Sequence, residues 1–298
     1  MPAQTDAPSI ADPDESDDPD RVLRFAAALY GGLLFAGVVS ITLLASTPIG
    51  PRPPSVTVLA STYVGGLLFG AVLGAVIASR DRVLPARLGR TARRRFLPIL
   101  PVLPFGALVA ASWWGPIGDA AATVALGTAA ALSLTGYVLA RVAQSRYVER
   151  VTADEPIAAW RWTPPNAHKL DAAIIALFLF LAVGNAFSGD WVLAGGWLFV
   201  AVFWVISAVE EGRWQVGAGS TTEIRVHDAG LVKRRPYTRS LVPWETIDRV
   251  RLREGELVLD RGLFDVRFDR EELADPEAAL ETIERRLSNV DSRGVASG

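Results

Sequence analysis

The sequence contains no cysteine and only two histidines, His168 and His227. Without cysteine, disulfides, thiolate metal sites and cysteine nucleophiles are excluded. No carboxylate cluster with metal-ligand spacing accompanies the histidines, and no Gly-x-Ser-x-Gly elbow occurs. The Gly-Ala-Gly segment at 217–219 has Thr222 where a dinucleotide fingerprint needs its third glycine. These absences argue against an enzyme, and we expect no catalytic residue, no cofactor and no metal.

Lysine is also scarce, since Lys169 and Lys233 are the only two, so nearly all basic charge is arginine. The long apolar runs have no ionisable residue in their interiors, where such groups are costly and tend to mark ion paths or catalytic groups. Asp171 stands at the start of the fifth run, and Glu210 and Glu211 end the sixth. This pattern argues against a proton-coupled pump but leaves a lipid-handling or neutral-solute protein open.

What the chain does contain is apolar sequence: 50% of its 298 residues are hydrophobic, and its mean hydropathy is +0.28. That composition predicts a membrane domain and one small soluble domain. Six runs are long enough to cross a bilayer, and we expect a six-helix bundle over 22–212 with helices at about 22–45, 56–79, 96–114, 120–140, 170–187 and 191–209. The acidic segment 1–21 and the end at 290–298 are predicted to be disordered tails.

Small residues recur at every fourth position in the first two runs. The stripes consist of Ala28, Gly32, Ala36 and Ser40, and of Gly66, Gly70, Gly74 and Ala78. Small residues at this spacing let two helix backbones approach closely. We therefore predict a tight antiparallel hairpin, with a glycine-lined pore as the alternative.

The third run carries Pro98, Pro101 and Pro104, which should bend or locally open its helix near the cytoplasmic end. Broken helices can mark transporter sites, so a transporter or channel subunit is one hypothesis. Clustering of the prolines at one end favours a structural kink. Asn185, the most polar side chain within an apolar run, fits an interhelical hydrogen bond as well as a ligand contact.

Arginine-rich loops set the predicted orientation. Segment 79–95 carries seven arginines and one aspartate, and a second basic stretch contains Arg141, Arg146, Arg150 and Arg161. Basic loops stay on the cytoplasmic side, whereas the other links contain Arg52, Asp119 and Asp190. We therefore predict a multi-pass protein of the cell membrane with both termini cytoplasmic. Segment 160–162, Trp-Arg-Trp, is interpreted as lying on the headgroups.

From Arg213 onward the pattern changes to alternation, as in Ile224, Arg225 and Val226. Short alternating strands separated by turn residues predict a small antiparallel sheet or partial barrel. A helix from Pro276 to about Leu287 should close the domain, with Asp275 as its N-cap. Its apolar face is formed by Leu280, Ile283 and Leu287.

Two segments carry a family resemblance: Glu-Ile-Arg-Val-His-Asp-Ala-Gly-Leu at 223–231 and Val-Pro-Trp-Glu-Thr-Ile-Asp-Arg-Val at 242–250. They resemble the pleckstrin-homology-like (PH-like) domains of bacterial and archaeal membrane proteins, where a Gly-Leu turn precedes Pro-Trp-x-x-Ile-x-x-Val. The resemblance covers roughly 214–287 and implies a cytoplasmic α+β PH-like domain at 213–289, with Trp244 and Ile247 in its core. It implies no activity, and the domain is short at its front end.

One basic cluster is a candidate binding surface. Lys233, Arg234, Arg235 and Arg239 could contact anionic lipid headgroups, although a solvated strand and turn is the alternative. Besides the lipid bilayer, we expect anionic lipid or an unidentified membrane or cytoplasmic protein as partner, and no nucleic acid. The leading hypothesis is a non-enzymatic scaffold or regulatory module.

Overall fold

A computed structural model describes residues 19–46, 54–80, 94, 96–115, 117–163, 168–214, 222–253, 255–262 and 265–296. The chain is mostly helical, with an antiparallel sheet region and a final helix at its C-terminal end. The acidic segment 1–18 and most of the arginine-rich loop, 81–93, lie outside the described residues.

The described residues contain five helices long and apolar enough to cross a membrane. These are α1 (Pro19–Ser46), α2 (Val56–Arg80), α4 (Asp119–Val151), α5 (His168–Phe187) and α6 (Trp191–Glu210). Between α2 and α4 lie a 3₁₀ turn, Leu97–Ile99, and the ten-residue helix α3, Val102–Ala111. The third predicted span is therefore a shorter, interrupted element. Helix α1 begins inside the predicted tail, and α4 continues eleven residues past the predicted end at 140.

The prolines explain the interruption of the third segment. Pro98 lies in the 3₁₀ turn, Pro101 is the N-cap of α3, and Pro104 lies in the first turn of α3. Proline has no backbone N–H to donate and its ring collides with the preceding turn, so it is tolerated only at a helix start. The predicted break in this segment is confirmed.

The small-residue stripes of α1 and α2 form a close helix–helix contact. A Cβ added to Gly32 would lie 2.7 Å from the carbonyl oxygen of Leu67, and one added to Gly66 would lie 2.8 Å from the Cα of Ala36. As residue numbers increase along α1, the residue numbers of their contact partners in α2 decrease, so the two helices are antiparallel. The predicted tight hairpin is confirmed, and its glycines face a helix backbone.

The short third segment runs beside α1 in the same direction. Near its start, the Tyr30 hydroxyl donates a hydrogen bond of 2.6 Å to the carbonyl oxygen of Pro98. Two turns further, a Cβ on Gly37 would meet the ring of Phe105. Phe105 packs with Leu33 of α1 in an apolar cluster that α4 completes through Ala125, Ala129 and Leu132.

The sheet region consists of two antiparallel sheets. The first has the order β1–β2–β3–β4 and the second the order β5–β6–β7. Their strands are β1 (Ala158–Arg161), β2 (Glu223–His227), β3 (Gly230–Arg234), β4 (Arg239–Pro243), β5 (Arg249–Arg253), β6 (Glu256–Asp260) and β7 (Val266–Asp269). The final helix, α7, spans Pro276–Ala296. Gly230 opens β3 at φ +152°, where a Cβ would strike the backbone of β4.

Strand β1 comes from the connection between α4 and α5. Ala158 pairs with Val226, and Arg161 pairs with Glu223. The headgroup interpretation of segment 160–162 is therefore wrong, because its backbone hydrogen bonds are made within the sheet and Trp162 is buried in the core. The sheet thus begins before α5, and the α5–α6 hairpin is inserted between its first two strands.

One apolar core joins both sheets and α7. Trp244 and Ile247 are buried in it, as predicted, together with Ile283 of α7. The predicted N-cap is also confirmed, because Asp275 Oδ1 accepts a hydrogen bond of 3.0 Å from the backbone N–H of Ala278. Helix α7 continues to Ala296, beyond its predicted end at about Leu287.

Candidate functional site

The four residues of the predicted basic cluster have different surroundings. On the β3–β4 hairpin, Lys233 pairs with Ser240 and Arg234 pairs with Arg239. Arg239 contacts the end of α4: its Nη1 lies 3.3 Å from Glu149 Oε1, and its backbone N–H donates to Ser145 Oγ. The structure does not gather the four charges on one outward face. Their contact with lipid stays a prediction.

Lys233 points toward two aromatic rings of the sheet core. Its Nζ lies 4.2 Å from the ring centroid of Phe268 and 5.4 Å from that of Trp162. Burial lowers the pKa of Lys233 to about 7, and repulsion from Arg235 and Arg261 adds to the effect. A cation over aromatic faces is stabilised by the ring quadrupole, so the rings offset part of the loss of hydration.

Arg235 lies between this aromatic pair and the helix ends. Its guanidinium carbon is 5.7 Å from the Trp162 centroid, and its backbone N–H donates to the carbonyl oxygen of Thr238. Burial lowers its pKa, while the charges of Glu211 and Glu210 act in the opposite direction. Arg235 therefore faces carboxylates at the end of α6.

A buried carboxylate ties α5 to the chain that follows α6. Asp171 is fully buried, and its Oδ1 lies 2.5 Å from Arg213 Nη1 and accepts a hydrogen bond of 3.0 Å from Trp204 Nε1. Arg213 is also paired with Glu211 at 3.0 Å. An isolated buried charge is strongly unfavourable, and here the guanidinium and the indole N–H compensate the carboxylate.

A second pair links α4 and α6. Glu210 Oε1 lies 2.8 Å from Arg141 Nε, and the Arg141 guanidinium lies 5.0 Å from the ring centroid of Tyr137. We define the junction as these two ion pairs together with Glu149–Arg239. The sequence shows that Asp171 and Glu210 stand at the ends of apolar runs, on the arginine-rich side. It contains no signal of which arginine pairs with which carboxylate.

The opposite end of the helices carries an open cleft of about 440 Å³. Its lining includes Ser112, Trp113, Asp119, Thr123, Ser188, Asp190 and Trp191.

The side chain of Asn185 donates a hydrogen bond of 2.8 Å to the Leu181 carbonyl of its own helix. Neither an interhelical bond nor a ligand is needed to explain Asn185.

The described part of the chain holds no group of three metal-ligating side chains. His227, nearly buried, has its Nδ1 3.4 Å from Asp154 Oδ1. Desolvation acts to raise the pKa of Asp154. Hydrogen bonds, chiefly from the backbone N–H of Asp228, and the charge of His227 outweigh this effect, so the pKa of Asp154 is lowered. This pair fixes the α4–β1 connection against the β2–β3 turn.

Comparison with known proteins leaves the chain without an assigned relative: no protein-family model matches it, and neither does any curated protein or solved structure.

Proposed function

We propose that this chain is a multi-pass protein of the cell membrane whose PH-like domain lies on the cytoplasmic side and acts as a non-enzymatic scaffold or regulatory module. The module docks a partner protein or anionic lipid. The observation that carries the proposal is the junction, through which the sheet domain is ion-paired to the end of α4 beside the paired ends of α5 and α6.

Membrane insertion is supported by the outward surfaces of the helices. Large apolar side chains stand exposed along them, among them Leu68 of α2 and Phe180 and Phe187 of α5. Contiguous apolar surface of this extent is unfavourable in water and normal in hydrocarbon. At one end of the helices, Trp113, Trp114 and Trp191 are exposed, as indole rings are at a membrane interface.

Six crossings are supported by the third segment, which runs parallel to α1 and in contact with it from Pro98 to Phe105.

The orientation in the membrane is supported by the distribution of charge. Arg80, Arg141, Arg146 and Arg150 lie at the end of the helices that bears the sheets, and Asp119 and Asp190 lie at the other. By the preference of arginine for the cytoplasmic side, the sheets and both termini are cytoplasmic.

The PH-like assignment is supported by topology and core. A sheet of four strands, a sheet of three strands and a C-terminal helix share one apolar core, which is the plan that the resemblance implies. Strand β1, which precedes α5 in the chain, supplies the first strand that segment 213–289 lacks.

A regulatory role is supported by how the domain is attached. The α5–α6 hairpin leaves the sheet after β1 and returns to it before β2. A partner that shifts the first sheet therefore acts directly on two membrane helices. Because a buried ion pair loses much of its stabilisation when its geometry is disturbed, the junction transmits such a shift.

Site-specific photo-crosslinking in native membranes tests the docking role. A crosslinking amino acid is placed at the exposed positions Arg251 and Arg267 of the sheet domain. A matched control is placed at Trp114, at the other end of the helices. We expect discrete protein or lipid adducts from the sheet positions only. Adducts of equal yield and identity from Trp114, or none from the sheet, would contradict the docking role.

A further inference from the structure

We propose that the cleft at the end of the helices away from the sheets binds a small organic cation of the quaternary ammonium class. Its volume of about 440 Å³ lies within the range of small-molecule sites, about 300–1,000 Å³. The carboxylates of Asp119 and Asp190 face the charge of this ligand, and the indoles of Trp113 and Trp191 face its methyl groups. The inference goes beyond the proposed function, because it concerns the opposite end of the molecule and a different class of ligand.

The cleft is assembled where two connections between helices meet. The α3–α4 connection supplies Ser112, Trp113 and Asp119, and the α5–α6 connection supplies 188–190. Helices α4 and α6 are in contact close to the cleft, because a Cβ placed on Gly195 would lie 3.2 Å from a methyl carbon of Leu126. The packing of α4 against α6 therefore holds the two walls of the cleft together.

The cleft carries an excess of negative charge. Its lining contains two carboxylates and no basic side chain. Asp190 caps α6, since its Oδ1 accepts the backbone N–H of Leu193, whereas Asp119 follows the N-cap Gly118, and the start of α4 has no side-chain cap. A helix N-terminus contributes a partial charge of about +0.5. Two carboxylates beside two helix starts therefore leave about one net negative charge for a cation to neutralise.

The indoles select the kind of cation. Trp113 and Trp191 line the cleft and are 60% and 71% exposed. The Trp113 ring meets that of Trp114 edge to face, with centroids 5.9 Å apart and an interplanar angle of 74°. Aromatic faces attract cations through the ring quadrupole, and they are used in particular to recognise quaternary ammonium groups. Carboxylates and accessible indoles in one cleft therefore fit such a group.

A divalent metal ion fits the same cleft less well. Calcium takes six to eight oxygen ligands, and magnesium requires near-octahedral coordination. In the part of the chain that the structure describes, no group of three metal-ligating side chains occurs. A metal ion would also gain little from the indoles, whereas a large cation with its charge spread over methyl groups uses both kinds of side chain.

The test uses the full chain in neutral maltoside micelles and isothermal titration calorimetry at constant ionic strength. The probes are choline and its uncharged isostere, in which a tert-butyl group replaces the trimethylammonium group. We expect saturable binding of choline alone. Asp119→Asn should weaken it about fivefold, the value of one contacting charge pair in water. Asp190→Asn keeps a capping oxygen and should weaken it to a similar extent.

Two matched variants control for charge and for aromatic surface. Asp248→Asn removes the same charge from an exposed position of the sheet domain and should bind choline like the wild type. Trp113→Leu should weaken binding about two- to fivefold, whereas Trp114→Leu, outside the lining, should not. Equal binding of the uncharged isostere, or equal losses in the matched variants, would overturn the site.

A trimethylammonium group can come from free choline or from a lipid headgroup, and dihexanoylphosphatidylcholine distinguishes the two sources. Binding tighter than that of choline, with the same losses in the variants, assigns the site to the headgroup; binding no tighter assigns it to the free cation. Absence of saturable binding for both probes would overturn the inference.

Hydrogen exchange of the wild type gives a readout that does not depend on the variants. With choline bound, we expect protection at 119–123 and 188–192. Protection confined to other segments would contradict the site. Crosslinks from Arg251 report on the sheet domain alone, so failure of this cation site and failure of the docking role are distinguishable.

Discussion

Replacing Asp171 by alanine tests the junction at its most buried point. The change removes a fully buried carboxylate and leaves the Arg213 guanidinium and the Trp204 indole N–H without their shared acceptor. Removing one member of a buried ion pair costs about 3–5 kcal/mol of folding stability in soluble proteins. Because Arg213 keeps Glu211 at 3.0 Å and is partly exposed, we expect a loss at or just below the lower limit of that range, about 2–3 kcal/mol.

The assay is equilibrium unfolding of the full chain in mixed micelles, followed by far-UV circular dichroism. A double-mutant cycle with Arg213→Ala isolates the pair, since directly contacting residues couple by about 0.5–3 kcal/mol. We expect Asp171→Ala with Arg213→Ala to be less destabilised than the sum of the single changes. Asp190→Ala is the control at the other end; it removes the cap of α6 and should cost about 1 kcal/mol. Additive single changes, or a loss below about 0.5 kcal/mol for Asp171→Ala, would contradict a coupled, buried Asp171–Arg213 pair.

Three further predictions concern packing and charge. Gly70→Ala should cost about 1–3 kcal/mol by overpacking, because its Cβ would strike the backbone of α1, whereas Gly65→Ala, with open space around it, should cost nothing by thermal unfolding. Trp162→Ala should cost about 3–5 kcal/mol by opening the sheet core. Trp114 is exposed at the end of the helices away from the sheets, and Trp114→Ala should leave the melting temperature unchanged. For Lys233, the folded pKa of about 7 lies below the ordinary 10.5, so the unfolded chain binds more protons between these values and stability rises with pH across that window. Lys233→Met should abolish that rise and stabilise the protein at pH 7; an unchanged pH profile would contradict the burial of the ammonium group.

The features that the sequence predicted best are those with local, periodic causes. Small residues every fourth position led directly to the α1–α2 contact, and alternation led to β2 and β3. The motif around Trp244 identified core residues, and Asp275 followed by Pro276 identified a helix start. Each of these depends on residues within a few turns or on a regular pattern.

The features it missed depend on partners far apart in the chain. Residues 158–161 pair with a strand that begins at Glu223, and no local signal distinguishes them from an interfacial segment. Asp171 and Arg213 are separated by a whole hairpin, so their pairing depends on the packing of α5 against α6. The three prolines signalled the break, but apolar length alone could not fix where α3 ends. The basic cluster was read from proximity in sequence, whereas strand alternation turns Lys233 inward.

The proposed arrangement of six crossings with a cytoplasmic sheet domain can be tested by mapping the membrane topology. A reporter that is active only outside the cytoplasm is inserted at Asp190, between α5 and α6, and in a separate fusion after the C-terminus. We expect activity at Asp190 and none at the C-terminus, as six crossings with cytoplasmic sheets require. Activity at the C-terminal fusion would contradict it, since that result would place the sheet domain and the junction outside the cytoplasm.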